Sequence, residues 1–272
     1  MGGNVFIGVS GWRYTPWRGN FYPPGLPQRR ELWHAARHFN SIELNGSFYS
    51  LQRPSSYGQW AAETPPGFVF AVKGGRYITH MLKLRNIEGA LGNFFASGLF
   101  ALGDKLGPIL WQFPPQVRLN LDLFEQFFTR LPRTTEAAAQ VALQRDHRLK
   151  GRELLEPTVR QHLRHCVEVR HESFVDPAFI ALLRRHGVAW VVADTPNARA
   201  SDPGQAWPLF EDVTADFVYL RLHGSTELYN SRYTPQEIAR WAAAIDAWRG
   251  GGQPADARLI SGKPPRARAS RD

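Results

Sequence analysis

The sequence predicts an α/β fold of the TIM type, a (β/α)₈ barrel in which a helix follows each parallel strand. Short apolar runs rich in Val, Ile, Phe and Trp recur along the chain, which is typical of buried parallel strands. Helix-like stretches separate these runs, so the chain consists of repeated βα units. Nearly every run ends in polar residues, and the length of 272 residues is close to the roughly 250 that are typical of this barrel.

Seven apolar runs are the predicted strands, and several of them are apolar on both faces. In chain order they are Val5–Val9, Ser41–Leu44, Phe68–Val72, Pro108–Phe113, Cys166–Val169, Ala189–Ala193 and Phe217–Leu222.

The stretches between the runs carry helix signals. Asn120 is a good N-cap for one helix, and Asp176-Pro177 supplies a cap and a first-turn proline for another. Thr234-Pro235-Gln236-Glu237 is a capping box. The predicted helices are Gln28–Phe39, Ser55–Glu63, Leu121–Leu131, Ala178–Arg185 and one from Thr234 to about Trp248.

We expect a single barrel domain over residues 1–250, because no linker divides the chain. Gly11–Pro27 is predicted to be a long loop, since it is dense in Trp, Tyr, Gly and Pro. A helical insertion, predicted as a pair of helices, lies near residues 134–165. Residues 251–272 form a basic tail, and we expect it to be disordered.

The bulk charge is strongly basic, with a formal net charge of +9 and a pI of about 10.0. The tail from Gly250 to Asp272 holds five Arg or Lys residues against two Asp residues, so about a third of this charge lies there. A basic balance favours anionic partners, including nucleic acid.

Cysteine usage and hydropathy restrict the class of protein. Cys166 is the single cysteine, which excludes an internal disulfide framework and a multi-cysteine zinc site. No segment approaches the roughly 18 apolar residues of a membrane span, and the start of the chain lacks the features of a signal peptide. We therefore expect a cytoplasmic protein with no membrane partner.

Polar residues at the strand ends form the candidate site, because residues two apart on a strand share a face. Carboxylates and a histidine suit acid and base roles, while arginines and a lysine suit an anionic ligand. The predicted catalytic residues are Glu43, Glu168, Asp194 and His223. The predicted substrate-binding residues are Trp12, Tyr14, Asn45, Tyr49, Lys73, His80, Gln112, Arg170, His171 and Arg221.

A structural interpretation competes with this one. Buried charges need partners in any case, and Glu43 with Lys73 or Glu168 with Arg170 can form ion pairs that only stabilise the interior. Carboxylates and histidines can also hold zinc or manganese, but no tight ligand motif is present and the interleaved cations oppose a metal. The sequence leaves the metal and any cofactor unknown. It contains neither a G-x-G-x-x-G turn after the first run nor a Walker A loop, which disfavours Rossmann and P-loop folds.

Separated motifs over Gly8 to about Trp248 resemble the YecE-like family, the domain of unknown function numbered 72. The resemblance implies a TIM-type barrel and implies no established reaction. Its motifs are Gly8-Val9-Ser10-Gly11-Trp12, Tyr14, Trp17, Gly19, Phe21-Tyr22-Pro23, Glu43, Asn45, Phe48-Tyr49, Phe70-Ala71-Val72-Lys73, Thr79-His80, Leu106-Gly107, Gln112-Phe113-Pro114-Pro115, Glu168-Val169-Arg170-His171, Ser173, Asp194, Thr214-Ala215-Asp216-Phe217 and Tyr219-Leu220-Arg221-Leu222-His223-Gly224.

The chain departs from the family pattern at two places. Phe174 stands where the family usually has Trp, which is a mild change. The residues from Pro254 to Asp272 replace the family's aromatic-rich last strand and Ala-rich last helix, and Arg258–Ser261 is a poor substitute strand. We interpret the tail as a truncation or reading-frame artefact, and we expect the eighth strand and last helix to be atypical or missing.

Three functional hypotheses follow. The first is a hydrolase that binds an anionic, phosphorylated or nucleic-acid-related substrate at the barrel mouth. The alternative is a non-catalytic module for nucleic acid or another polyanion, supported by the basic charge and by the aromatic loop around Trp12 and Tyr14, to which Tyr229 and Tyr233 can add. The third is an acidic glycosidase that uses Glu43 and Glu168 as its carboxylate pair.

Overall fold

The computed structural model describes residues 2–196, 207–224 and 232–261, and it alternates strands with helices. Its strands are β1 (Gly8–Ser10), β2 (Ser41–Leu44), β3 (Val69–Lys73), β4 (Leu106–Gln112), β5 (His165–Glu168), β6 (Ala189–Asp194) and β7 (Tyr219–Leu222). Its α-helices are α1 (Glu31–Ala35), α2 (Gly46–Tyr49), α3 (Pro54–Glu63), α4 (Glu88–Ala96), α5 (Leu121–Arg130), α6 (Thr135–Ala142), α7 (Pro177–His186) and α8 (Pro235–Arg249).

The predicted α/β class with parallel strands is confirmed, since each of the seven predicted runs overlaps one strand. Strand β1 begins at Gly8, three residues after the start of the predicted run at Val5. The strand does not begin earlier because the Ile7 amide donates to the Asn40 side chain and Ile7 itself is exposed. Within the described ranges there is no eighth strand, so the full barrel is not shown.

The chain divides into two compact units. The first unit comprises residues 6–111 and 130–164, and the second comprises the described residues within 1–5, 112–129 and 165–272. The prediction of a single barrel domain over residues 1–250 stays a prediction.

Strands β1 to β4 of the first unit pair in chain order, and all pairs are parallel. Ser10 pairs with Glu43 and Glu43 pairs with Ala71, so these three side chains share one face of the sheet. Lys73 lies two residues beyond Ala71 on the same face. The register therefore brings Ser10, Glu43 and Lys73 to the carboxyl ends of neighbouring strands.

Helix α4 is the largest helical contribution to the core of the first unit, and the sequence reading missed it. Leu91, Phe94 and Phe95 are almost fully buried, and its small residues are buried as well. A helix that is covered on nearly every side shows no polar face, so the period of 3.6 residues is hidden.

Strands β5 to β7 of the second unit also pair in chain order and in parallel. Phe113, the residue after β4, donates its amide to the carbonyl of Glu168, the last residue of β5, at 2.8 Å. Phe124 lies at the centre of the aromatic core, with ring centroids 5.0 Å from Phe113, 5.3 Å from Phe174 and 5.4 Å from Phe179. Cys166, the single cysteine of the sequence, is buried in β5.

The predicted helix starts are confirmed in the second unit. Asn120 accepts a hydrogen bond from the Leu123 amide at 2.9 Å, and Asp176 accepts one from the Ala178 amide at 2.7 Å. Thr234 and Glu237 form the complete capping box of α8. These caps satisfy amides that the first helical turn leaves without partners.

Two helical predictions are wrong in extent. Gln28–Phe39 contains a 3₁₀ turn at Gln28–Arg30 and the short helix α1, rather than one long helix. Residues 134–165 contain α6 and a 3₁₀ turn at His147–Leu149, rather than a helix pair. Lys150 and Gly151 both have positive φ after that turn, which stops a helix from continuing.

The described part of the tail packs against the second unit. Asp212 accepts hydrogen bonds from the amides of Ile260 at 2.7 Å and Ser261 at 3.3 Å, and Gln253 donates to the Glu211 carbonyl at 2.7 Å. Arg258–Ser261 does not form a strand. Residues 262–272 lie outside the described residues.

Candidate functional site

Glu168 is the centre of the polar cluster in the second unit. It ends β5, and its side chain is 1% exposed. Arg170 contacts Oε1 through Nε at 2.7 Å and Nη2 at 2.6 Å, and Arg221 of β7 donates to Oε2 through Nη1. Both carboxylate oxygens are therefore engaged by guanidinium groups that come from two different strand ends.

The charge state of Glu168 follows from competition between burial and its neighbours. Burial alone would raise its pKa, but Arg221 and then Arg170 favour the carboxylate, with a further contribution from His223. The result lowers the pKa of Glu168 to about 2. Glu168 is therefore ionised at any physiological pH, and the cluster keeps a fixed negative charge between two fixed positive charges.

Arg170 is the more accessible of the two arginines. Its side chain is 13% exposed, against 6% for Arg221. The guanidinium carbon lies 4.0 Å from the centroid of the Trp207 ring, which covers one face of the group. Trp207 was not among the predicted site residues, because it lies in a segment without strand or helix periodicity.

Asp194 and His223 lie at the ends of neighbouring strands of the same unit. The His223 amide donates to the Asp194 carbonyl at 2.9 Å, and the Trp241 indole donates to Asp194 Oδ2 at 3.2 Å. Tyr233 accepts from the Gly224 amide at 3.1 Å. Both Asp194 and His223 are buried. Trp241 is a second site residue that was not predicted from the sequence. Its position on the apolar face of the predicted helix α8 was the sequence feature that could have indicated it.

Gln112 and His171 complete the predicted residues of the second unit. Gln112 is buried at the end of β4. His171 is half-buried, and its Nδ1 accepts from the Ser173 amide at 3.0 Å, so it caps the 3₁₀ turn Glu172–Phe174. Because its Nδ1 is used in this cap, His171 has a structural role in addition to any contact with a ligand.

The first unit contains a hydrogen-bonded group around Ser10. Ser10 donates to Glu43 Oε1 at 2.9 Å and accepts from the Asn45 amide nitrogen at 2.9 Å. Tyr14 donates to the Ser10 carbonyl. The structure therefore brings together the predicted residues Glu43, Asn45 and Tyr14, and Ser10 is the residue that links them.

A second group in the first unit is built around the ring of Phe48. Lys73 Nζ lies 4.3 Å from the ring centroid, His80 packs edge-on at 5.1 Å and Tyr49 at 5.0 Å. Lys73 is buried, His80 is half-buried and Tyr49 is exposed. The predicted residues Lys73, His80 and Tyr49 thus share one aromatic centre, Phe48, which sequence reasoning had placed only in a family motif.

Trp12 has a mainly structural role. It is buried, it packs against Trp60 with ring centroids 5.6 Å apart, and its carbonyl accepts from the Tyr22 hydroxyl at 2.6 Å. Burial then raises the pKa of Tyr22 to about 12. The loop Gly11–Pro27 is packed by its own aromatic side chains, as in the contact between Trp17 and Phe21 at 5.2 Å. Tyr229 lies outside the described residues.

Two properties bear on metals and membranes. Among residues 2–196, 207–224 and 232–261, no group of three His, Cys, Asp or Glu side chains is arranged to hold a metal ion. Within the same ranges, no helix combines the length and the apolar character needed to cross a bilayer.

Comparison with known sequences assigns most of the chain to one family description. The family model described as "Protein of unknown function DUF72" matches residues 6–270. The UPF0759 protein YunF of Bacillus subtilis is 29% identical over 116 residues, and the UPF0759 protein YecE of Escherichia coli K12 is 27% identical over 110 residues. These matches cover 41% and 40% of this chain, and they span about two fifths of each relative, 40% of YunF and 38% of YecE.

Solved structures show the same fold. A DUF72 family protein from Thermotoga maritima has a TM-score of 0.64 and 25% identity, over 86% of this chain and 83% of that one. A DUF72 family protein from Enterococcus faecalis has a TM-score of 0.58 and 18% identity, over 82% of each chain.

Proposed function

The chain belongs to the DUF72 family, and from that premise we propose that it binds a small phosphorylated ligand at the polar strand ends of its second unit. The observation that carries the proposal is the pair of guanidinium groups held at Glu168. Both oxygens of this buried carboxylate are bonded to arginines, and the Arg170 side chain is 13% exposed, so a guanidinium fixed in one geometry stays accessible to a ligand. Paired N–H donors fixed in this way recognise phosphate.

The donor chemistry of the arginines suits phosphate. A guanidinium has five N–H donors in a fixed fork, and Arg170 uses only Nε and Nη2 on Glu168. Its remaining donors and its partial exposure make it the group that contacts the ligand, with Arg221 behind it. Phosphate oxygens accept such paired N–H groups in the same way as a carboxylate.

Glu168 acts in this proposal as a positioning residue rather than as an acid or base. A carboxyl with a pKa of about 2 has no proton to donate at neutral pH, and its two ion pairs make it a weak base. It instead fixes the two guanidinium groups in one geometry.

Hydrolysis is the extended form of the proposal. Water oxygen bonds to phosphorus and the bond from phosphorus to the ester oxygen breaks, while the proton that the water loses passes to the leaving alkoxide. His223 is the residue assigned to this proton transfer, because it lies at the end of β7 two residues beyond Arg221 and acts electrostatically on Glu168.

The glycosidase alternative is less well supported by the geometry. It requires Glu168 to donate or receive a proton or to attack a sugar carbon. Two arginines hold both oxygens of Glu168. The phosphate hypothesis uses the same contacts without disrupting them.

Calorimetric titration with inorganic phosphate tests binding. The Arg170→Lys plus Arg221→Lys variant keeps both charges and loses the paired donors, so we expect affinity to fall by about tenfold or more. The matched control is Arg130→Lys plus Arg185→Lys, two exposed arginines in surface ion pairs, which should bind as the unaltered chain does. Unchanged affinity in a folded double variant at 170 and 221 would refute the proposal.

Turnover of p-nitrophenyl phosphate tests hydrolysis separately. We expect His223→Gln to lower the rate by about a hundredfold while phosphate still binds. If the unaltered chain binds phosphate and releases no p-nitrophenol, the hydrolytic form is wrong and the binding form stands.

Two further parts of the proposal concern shape and location. We propose that the strands belong to a closed (β/α)₈ barrel, supported by parallel pairing in chain order within each unit. A crystal structure decides this by showing or lacking an eighth strand. We also propose a cytoplasmic location, supported by the presence of one cysteine in the sequence, which excludes an internal disulfide. Imaging of a fluorescent fusion checks it.

A further inference from the structure

A basic and aromatic surface of the first unit uses none of the residues of the proposed function. It is formed by Tyr49, Arg76, Tyr77 and Arg148, and we call it the tyrosine–arginine surface. All four residues are exposed, and the side chain of Tyr49 reaches 66% exposure. We propose that this surface binds single-stranded nucleic acid, with bases stacked on the tyrosines and phosphates held by the arginines.

The contacts within the surface alternate rings with cations. The Arg76 guanidinium carbon lies 5.5 Å from the Tyr49 ring centroid, and that of Arg148 lies 4.9 Å from the Tyr77 centroid. Arg148 Nη2 also donates to the Tyr77 hydroxyl at 3.2 Å. Single-strand binding proteins combine these two elements, a ring that stacks a base and a cation beside it for the backbone.

The local charge is uniformly positive along the segment that supplies Arg76 and Tyr77. Residues 73–87 contain Lys73, Arg76, Lys83 and Arg85 and no Asp or Glu. Arg76, Lys83 and Arg85 are exposed. On the facing turn, Lys150 is exposed as well, whereas Asp146 forms an ion pair with Arg148 at 3.1 Å. Asp146 thus offsets part of the charge of Arg148, and the exposed Arg76, Lys83, Arg85 and Lys150 supply further positive charge for phosphates.

The backbone of this segment is fixed in an unusual form. Tyr77–Met81 is a π-helical turn, and Lys83, Leu84 and Asn86 all have positive φ. Leu82 donates to the Tyr77 carbonyl at 2.9 Å and Leu84 to the Ile78 carbonyl at 3.1 Å, which close the segment on itself. Such strained conformations persist where the surrounding structure imposes them, and they are common at binding sites.

The exposed tyrosine rings favour a single strand over other polyanions. A single strand exposes the faces of its bases, and these faces stack on tyrosine. A duplex hides its base faces, and inorganic polyphosphate or an anionic lipid headgroup has none. Charge alone would attract all of these partners, but the exposed ring of Tyr49 beside Arg76 gives an advantage only to the single strand.

Fluorescence anisotropy with labelled dT12 tests the proposal on the full chain. We expect the Tyr49→Ala plus Tyr77→Ala variant to bind at least tenfold more weakly, whereas Tyr49→Phe keeps a ring and stays within about threefold.

The salt dependence of binding tests the arginines. We expect the Arg76→Ala plus Arg148→Ala variant to show a flatter slope of log affinity against log salt concentration. The slope should change by about 0.7 for each phosphate that these guanidinium groups neutralise. Arg29→Ala plus Arg160→Ala, two exposed arginines elsewhere in the unit, is the charge-matched control and should not reproduce this change in slope.

Several outcomes would overturn the proposal. Equal affinity for a 12-base-pair duplex, for polyphosphate or for phosphatidylserine vesicles, with no effect of the tyrosine variant, would show that the surface recognises charge without bases. Loss of dT12 binding in the Arg170→Lys plus Arg221→Lys variant, with the tyrosine–arginine variants unchanged, would assign the nucleic acid to the phosphate site instead. Retention of dT12 binding in that variant supports two separate sites.

Discussion

Glu168 shows how much of a buried cluster depends on one carboxylate. In Glu168→Gln the shape is kept but two guanidinium groups lose their counter-ion inside the protein. Removing one partner of a buried pair costs about 3 kcal/mol, and the unfolding free energy should fall by roughly that amount. Urea unfolding at pH 7 measures it. Glu88→Gln, which removes an exposed partner of Arg130, is the control and should cost less than about 1 kcal/mol. A loss of similar size in both variants would contradict the role of Glu168 as the buried counter-ion of two arginines.

The acid sensitivity of the chain follows from the same residue. The pKa of Glu168 falls from 4.5 to about 2 on folding, so the unfolded state binds the proton more readily. Its stabilising contribution is complete above pH 4.5 and is lost as the pH falls toward 2. The gap in unfolding free energy between the unaltered chain and Glu168→Gln should therefore shrink over this window. Urea titrations at pH 6, 4 and 3 measure the gap, and a constant gap would show that Glu168 does not gain its charge partners on folding.

Part of this cluster is predictable from sequence and part is not. Glu168 and Arg170 are two apart on one strand, so a shared face and an ion pair follow directly from the strand period. Arg221 and Trp207 reach the cluster from later segments. Their partners depend on strand pairing and on the path of an irregular segment, which one sequence without an alignment does not give.

At the scale of elements, strands were easier to predict than helices. A run such as Ala189–Ala193 is apolar on both faces and short, and it coincides with β6. The caps Asn120, Asp176 and Thr234 marked real helix starts, because capping is local chemistry. The sequence did not predict helix α4 or the π-helical turn. Helix α4 is buried on nearly every side, so its apolar residues show no period of 3.6. The π-helical turn has a strained backbone that does not follow that period.

Gly74 and Gly75 follow β3 and offer a paired test of local packing. A Cβ on Gly74 would lie 2.3 Å from Cε3 of the buried Trp111, whereas on Gly75 its nearest neighbour, the Ser47 carbonyl oxygen, is 3.7 Å away. We expect Gly74→Ala to cost about 1–3 kcal/mol through overpacking. Gly75→Ala should be neutral or stabilising by less than about 1 kcal/mol. Chemical denaturation with tryptophan fluorescence measures both, and equal effects would contradict the close approach of Gly74 to Trp111.

At the scale of the whole molecule, the net charge of +9 has separate local meanings. In the second unit, Arg170 and Arg221 surround a carboxylate. In the first unit, Arg76 and Arg148 lie beside exposed rings. The bulk value predicted an anionic partner of some kind, but only the structure distinguishes the arginines that bind Glu168 from those that lie beside exposed tyrosine rings.

The family model matches the chain as far as residue 270, and within the second unit the structure ties the first residues of the tail to the rest of the fold. Asp212 is buried and accepts from the amides of Ile260 and Ser261, and Arg240 bridges Glu211 at 2.5 Å and Asp256 at 2.9 Å. The amide of Asp212→Asn has one acceptor oxygen and no charge, so it weakens the hold on residues 260 and 261. A charge-assisted hydrogen bond contributes about 1.5–3 kcal/mol, so local opening should rise by about tenfold or more.

Limited trypsin digestion followed by mass spectrometry reads this opening at the bond after Arg258. We expect faster cleavage there in Asp212→Asn, while Asp246→Asn, an exposed carboxylate on α8, cleaves as the unaltered chain does. Proteolysis follows the population of the open form when closing is fast, so the ratio of rates reports the free energy that Asp212 supplies. Equal cleavage in both variants would mean that the contacts to Ile260 and Ser261 do not hold the tail. Faster cleavage would show that Asp212 holds residues 260 and 261 in the fold.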